Sequence, residues 1–247
     1  MQDVVLVEKL DAEAELDRLA AHYRSAGGPG VKLLNSLGGS AESLLEQLPE
    51  PIRQSLTGAT EQALWLAMHA AEGSRRAVPD QRPWVNTALT TAMGAAGGLG
   101  GVSTALMELP ATTAMLLRAI QGAAAREGFD PSEEGVKFDC VRVLSAAGPM
   151  SNDDGADVGF FSVRLTLTGP AMQRLIAAVA PRLSVVLGQK LAAQSVPVLG
   201  AIAGGGTNYV YTRYYQQIAR VHFGLRRLAV DADIPHDELV RKLSSRM

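Results

Sequence analysis

Residues 83–107 read Pro83-Trp84-Val85-Asn86-Thr87-Ala88-Leu89-Thr90-Thr91-Ala92-Met93-Gly94-Ala95-Ala96-Gly97-Gly98-Leu99-Gly100-Gly101-Val102-Ser103-Thr104-Ala105-Leu106-Met107, with no charge between Arg82 and Glu108. The stretch is long enough to cross a bilayer. Its glycines, threonines and Asn86 nevertheless make it poorly hydrophobic on an insertion scale, where leucine and isoleucine supply most of the driving force. Each glycine in a helix costs about 1 kcal/mol relative to alanine in water. A chain that keeps five of them here needs close backbone approach, as in small-residue helix packing, or a tight helix–loop–helix turn.

Outward from this stretch the periodicity is helical almost throughout. Downstream, Leu106, Thr113, Leu117, Ile120 and Ala124 share one stripe, and Pro110 makes the helix kink or restart with Leu109-Pro110 in a new first turn. Residues 191–212 repeat the plan, uncharged between Lys190 and Arg213, with Pro197, Gly200 and Gly204-Gly205-Gly206 ahead of a helix that runs to about Val230. Two such units suggest an internal repeat. Upstream, residues 3–24 form an amphipathic helix broken at Gly27-Gly28-Pro29-Gly30, and Pro49 and Pro51 open a helix to about Gly73. Asp130-Pro131-Ser132-Glu133 is a helix start leading to about Ala147. Residues 148–159 read as an acidic surface loop, and 160–167 as a helix or an extended lead-in. Thr168 caps a helix from Pro170 to about Ala180, and Asp233-Ile234-Pro235 opens a last short one. The expected fold is all-α, with two glycine-rich apolar hairpins. Residues 1–50 form an N-terminal helical arm and 51–247 a helical domain.

The apolar fraction of 47% over 247 residues supports a sizeable core. A net charge of −2 with scattered basic residues gives no reason to expect nucleic acid. The single cysteine, Cys140, cannot form an intramolecular disulfide and sits on a stripe with Val136, Val143 and Leu144, so it reads as core. The N-terminus lacks the basic region of a signal peptide, which points to a cytoplasmic protein. No two histidines stand four apart and no glutamate precedes one in a metalloprotease pattern, so neither a metal nor another cofactor is expected. A nucleophile elbow and a phosphate loop are absent, so no catalytic residue is assigned.

The candidate ligand-binding residues are Glu108, Arg118, Lys190, Asn208, Tyr211, Tyr215 and His222. Asn208, Tyr211, Tyr215 and His222 share one face of helix 207–229, where tyrosine and asparagine can place hydrogen bonds while staying largely apolar. Glu108 is a carboxylate in an otherwise uncharged region and needs a basic partner. Lys190, Arg213 and His222 are the candidates if the two glycine-rich units pack together. The bland alternative for both features is a structural core.

The two glycine-rich segments together resemble the EcsC protein family. The first carries Gly97-Gly98-Leu99-Gly100-Gly101, Glu108-Leu109-Pro110 and Thr112-Thr113. The second carries Gln189-Lys190, Ala192-Ala193-Gln194, Pro197, Gly200-Ala201 and Asn208, followed by Ala219-Arg220, His222-Phe223 and Arg227-Leu228. The resemblance covers roughly residues 60–230 and implies a bacterial protein working at the cytoplasmic membrane face. It supplies no catalytic residues. The expected function is a non-enzymatic, peripheral protein that associates with a lipid, an apolar ligand or a membrane-protein partner. One alternative is a soluble enzyme or small-molecule binder with a pocket around Glu108 and the 208–222 face. The other is a self-contained soluble interaction protein. The sequence leaves the oligomeric state open. The slightly negative charge suggests that membrane docking would depend on apolar contact more than on anionic lipid.

Overall fold

A computed structural model describes residues 11–32, 45–46, 48–77, 87–88, 91–92, 109–146, 171–194 and 200–247. Among them are seven α-helices and no strand. These are α1 (Ala12–Ala26), α2 (Glu50–Ala77), α3 (Leu109–Arg126), α4 (Glu134–Val143), α5 (Ala171–Gln194), α6 (Gly200–Asp231) and α7 (His236–Ser244). The all-α expectation holds. Most of the first glycine-rich segment, the 195–199 link and the 160–167 stretch lie outside the described residues, and so does any repeat between the hairpins.

The α6 helix is the axis of the bundle. Thirty-two residues span about 48 Å, and between Thr207 and Leu225 only Tyr209, Arg213 and Arg220 escape burial. Helices α1, α3, α4, α5 and α7 all pack on it, while α2 packs on α3 and α5. A helix enclosed on nearly every side is usually apolar all round. This one instead buries Thr207, Asn208, Thr212, Gln216, Gln217 and His222, so its polar groups must be met inside the fold.

Helix α1 starts where Asp11 Oδ1 accepts from the Glu13 and Ala14 amides at 3.0 and 3.1 Å. It lays Leu16, Leu19, Ala20, Tyr23 and Ala26 against the core. The slot for Leu19 exists because residue 224 is glycine; a Cβ there would meet Leu19 Cδ2 at 2.5 Å. The segment just beyond α7 also holds α1, with Arg246 bonded to Glu13 and, at 3.0 Å, to Asp17. Gly128, at a φ of 86°, turns the chain off α3 so that the Phe129 amide returns to the Ala124 carbonyl at 3.1 Å.

Several boundaries differ from the sequence reading, among them α2, which runs past Gly73 to Ala77, and α4, which ends at Val143 short of Ala147. The helix expected at Pro131 begins at Glu134, because the Asp130 carboxylate accepts from the Ser132 amide at 2.8 Å and closes a turn first. The helix expected to stop near Ala180 continues through Pro181 to Gln194. A proline forfeits one backbone bond, and burial of Leu183, Val186, Leu187 and Leu191 outweighs that loss. The last long helix begins at Gly200, so Gly204-Gly205-Gly206 lie within it. Gly206 faces open space. A tight approach falls at Gly188, where a Cβ would meet Leu45 Cδ2 at 2.5 Å and Leu56 Cδ2 at 2.7 Å.

Candidate functional site

The described candidate residues lie on three helices, and two of those on α6 are far apart. Asn208 and His222 are fourteen residues apart on α6, about 21 Å along the axis. Tyr211 donates to the Val186 carbonyl of α5 at 3.2 Å, and Tyr215 to the Leu144 carbonyl beyond α4 at 3.4 Å. Burial pushes both hydroxyls above the ordinary tyrosine range, so they stay neutral donors tying α6 to its neighbours. Lys190 is 1% exposed and its Nζ lies 3.5 Å from Thr112 Oγ1, joining α5 to the first turn of α3. Arg118 and Asn208 are buried on α3 and α6. Glu108 lies outside the described residues.

His222 belongs to a cluster that single-residue reading missed. Its Nε2 is 3.6 Å from Asp139 Oδ1 on α4, Arg142 Nη1 is 3.8 Å from the same oxygen, and Arg226 bonds the other oxygen. Arg226 also lies over the Phe129 ring, 4.7 Å from its centroid. Burial pushes the Asp139 carboxyl up, but His222, Arg226 and Arg142 outweigh it and hold the pKa below the ordinary value. For His222 burial dominates and lowers the pKa, the neighbouring arginines working the same way against Asp139. A second group centres on Glu127, which Arg18 and Arg227 approach to 3.8 and 3.5 Å. Beside it, His22 Nδ1 sits 2.9 Å from Gln217 Oε1. Both groups pair acids with bases between helices and act as structural ties. Among the described residues, no group of three histidine, cysteine or acidic side chains is placed to hold a metal.

Helix α5 stands out among the described helices by its hydropathy. Residues Ala171–Ala192 reach a mean hydropathy of 1.4 over their most apolar 18-residue window, and 72% of that window is buried. It is the one helix among the described residues long and apolar enough to cross a membrane, although most of it is core. Its outward stripe is Arg174, Ala178, Pro181, Arg182 and Val185, flanked by Ala177, all exposed. The helix carries Arg174, Arg182 and Lys190 and no carboxylate.

The sequence pattern of the EcsC protein family matches residues 76–228. That span takes in α3 to α5 and nearly all of α6, and leaves α1 and α7 outside. No curated protein and no solved structure matches the chain.

Proposed function

We propose, for a chain that belongs to the EcsC protein family, that the protein is a non-enzymatic helical module. It associates reversibly with a lipid surface or apolar ligand at the inner face of the membrane. The observation that carries this reading is α5, a helix of near-membrane hydropathy whose outward face keeps Ala177, Ala178, Pro181 and Val185 at the surface. With most of its length committed to the core, α5 suits contact with the lipid interface better than insertion across it. The implication of membrane-face work that the EcsC resemblance brings points the same way.

The burial of α6 favours a second reading, in which the fold is self-contained and acts through a protein partner. A pocket enzyme has less support, since the candidate side chains are spread along α6 and both tyrosine hydroxyls are engaged by backbone carbonyls. Flotation of the purified chain with liposomes, together with mass spectrometry for a co-purifying lipid, separates the first two. Co-flotation or a bound lipid supports the docking reading. A chain that stays at the bottom and carries no apolar ligand favours the self-contained protein.

A further inference from the structure

We infer that Arg213 and Arg220, on the stripe by which α6 reaches solvent, bind a phosphoryl group, carried by a small soluble molecule or by a lipid headgroup. The site goes beyond the docking reading above and does not depend on it. Between Thr207 and Leu225, α6 comes to the surface only through Tyr209, Arg213 and Arg220. Spacings of four and seven residues put all three on one face. Arg213 is exposed and Arg220 half-buried. Among the described residues neither makes a hydrogen bond or an ion pair. A guanidinium keeps its charge at any working pH, and a charge drawn partly out of water without a partner is unfavourable. An anion would supply that partner.

The surroundings explain why no acid meets them. Helix α1 lies along α6 here, with His22 Nδ1 2.9 Å from Gln217 Oε1 and Leu19 seated at Gly224. Neither Arg18–Lys32 nor Gly200–Val230 contains a carboxylate. The acid that acts on Arg220 is Glu127, just past the end of α3, and Arg18 and Arg227 already approach it to 3.8 and 3.5 Å. Burial lowers the Arg220 pKa, and Arg213 and Arg18 lower it further against the pull of Glu127. Arg18 itself is held by Glu15 at 2.8 Å, so it adds field and no free donor. Two open guanidinium forks remain, two turns or about 10 Å apart along the axis. Both side chains are long enough to close on one ion between them. One fork saturates the two oxygens of a carboxylate, whereas a phosphoryl group has three oxygens and up to two charges and takes both forks. Tyr209, one turn before Arg213, adds a hydroxyl.

The test titrates the full chain with inorganic phosphate, diphosphate and acetate in a calorimeter, and floats it with phosphatidylcholine vesicles with and without phosphatidic acid. The proteins are the natural chain, Arg213→Gln, Arg220→Gln and the double variant. Diphosphate, or phosphatidic acid in the vesicle, should bind the natural chain more tightly than acetate or phosphatidylcholine does. Each charge-assisted contact is worth about tenfold, so either single variant should lose about that factor and the double variant more. Melting separates this from a structural role. Removing an unpaired half-buried charge should leave the melting temperature of Arg220→Gln unchanged or raised, and millimolar diphosphate should raise that of the natural chain alone. If the double variant does not fold, the exposed Arg213→Gln decides. Binding of free diphosphate assigns a soluble ligand, and binding only to phosphatidic acid vesicles assigns a headgroup; either supports the site when the variants lose it. No binding to any phosphoryl probe, binding no tighter than to acetate, or binding that the variants retain overturns it.

Discussion

Asp139 ties α4 to α6 through one carboxylate, and Asp139→Ala measures that tie. The carboxylate bonds Arg226, lies 3.8 Å from Arg142 and 3.6 Å from His222, and has a side chain only 14% exposed. Its removal takes from the nearly buried Arg142 the carboxylate that faces it at 3.8 Å. Breaking a buried ion pair by deleting one partner costs about 3–5 kcal/mol. Arg226 keeps a third of its surface in water, so solvent takes over part of the loss and the lower end, about 3 kcal/mol, is expected. With a urea slope near 2 kcal/mol per molar, the unfolding midpoint should fall by about 1.5 M. Asp139→Asn, which keeps the shape, should cost about 2 kcal/mol. A double-mutant cycle with Arg226→Met should show a coupling above about 1 kcal/mol. A loss below about 0.5 kcal/mol, with no coupling, would place Asp139 among ordinary surface pairs and refute the cluster as a structural tie.

The lowered pKa of His222 makes stability depend on pH. The unfolded imidazole binds its proton near 6.5 and the buried one only at lower pH, so stability is full above 6.5 and declines as pH falls below it. His22 shifts the same way, chiefly through burial and Arg220, and Asp139 adds a further loss below its unfolded value of 3.8. Urea titrations between pH 7.5 and 5 should therefore fall steadily for the natural chain and be flatter for His222→Gln/His22→Gln; equal slopes would sink the assignment. The glycines divide by space. Gly188→Leu must displace Leu45 and Leu56 and should cost about 1–3 kcal/mol. In a chain of this size that lowers the melting temperature by several degrees. Gly206→Ala, helical and facing open space, should gain about 0.5–1 kcal/mol. Calorimetry showing the same sign for both would contradict the packing described.

Local chemistry was legible in the sequence. Leu109-Pro110 reads as a first helical turn; the described part of α3 starts at Leu109, and the residues just before it lie outside the described ones. The burial of Cys140 follows from its stripe with Val136 and Val143. Boundaries failed where two local rules compete. At Asp130 the carboxylate can cap a helix or close a turn, and the turn wins. At Pro181 and at the Gly204-Gly205-Gly206 run, intrinsic propensity argues for a break, while packing along α5 and α6 keeps both helices continuous. The ionic clusters were not legible because their members are far apart in sequence. Arg226 meets Asp139 across 87 residues and Arg227 meets Glu127 across 100, so Arg226-Arg227 reads in isolation as a solvated helix face. The one local clue was Asp139 three residues before Arg142, a helical ion-pair spacing.

Cysteine chemistry permits a direct look at the α5 face. Cys140 is the chain's single cysteine and is buried, so Val185→Cys offers one accessible thiol for a polarity-sensitive fluorophore. On mixing with phosphatidylserine-containing vesicles the label at 185 should shift to the blue and gain intensity, while a label at Ser55→Cys, exposed on α2, should change little. A label at 185 whose spectrum is the same with and without vesicles, in protein shown to be folded, would contradict the docking of this face on a membrane.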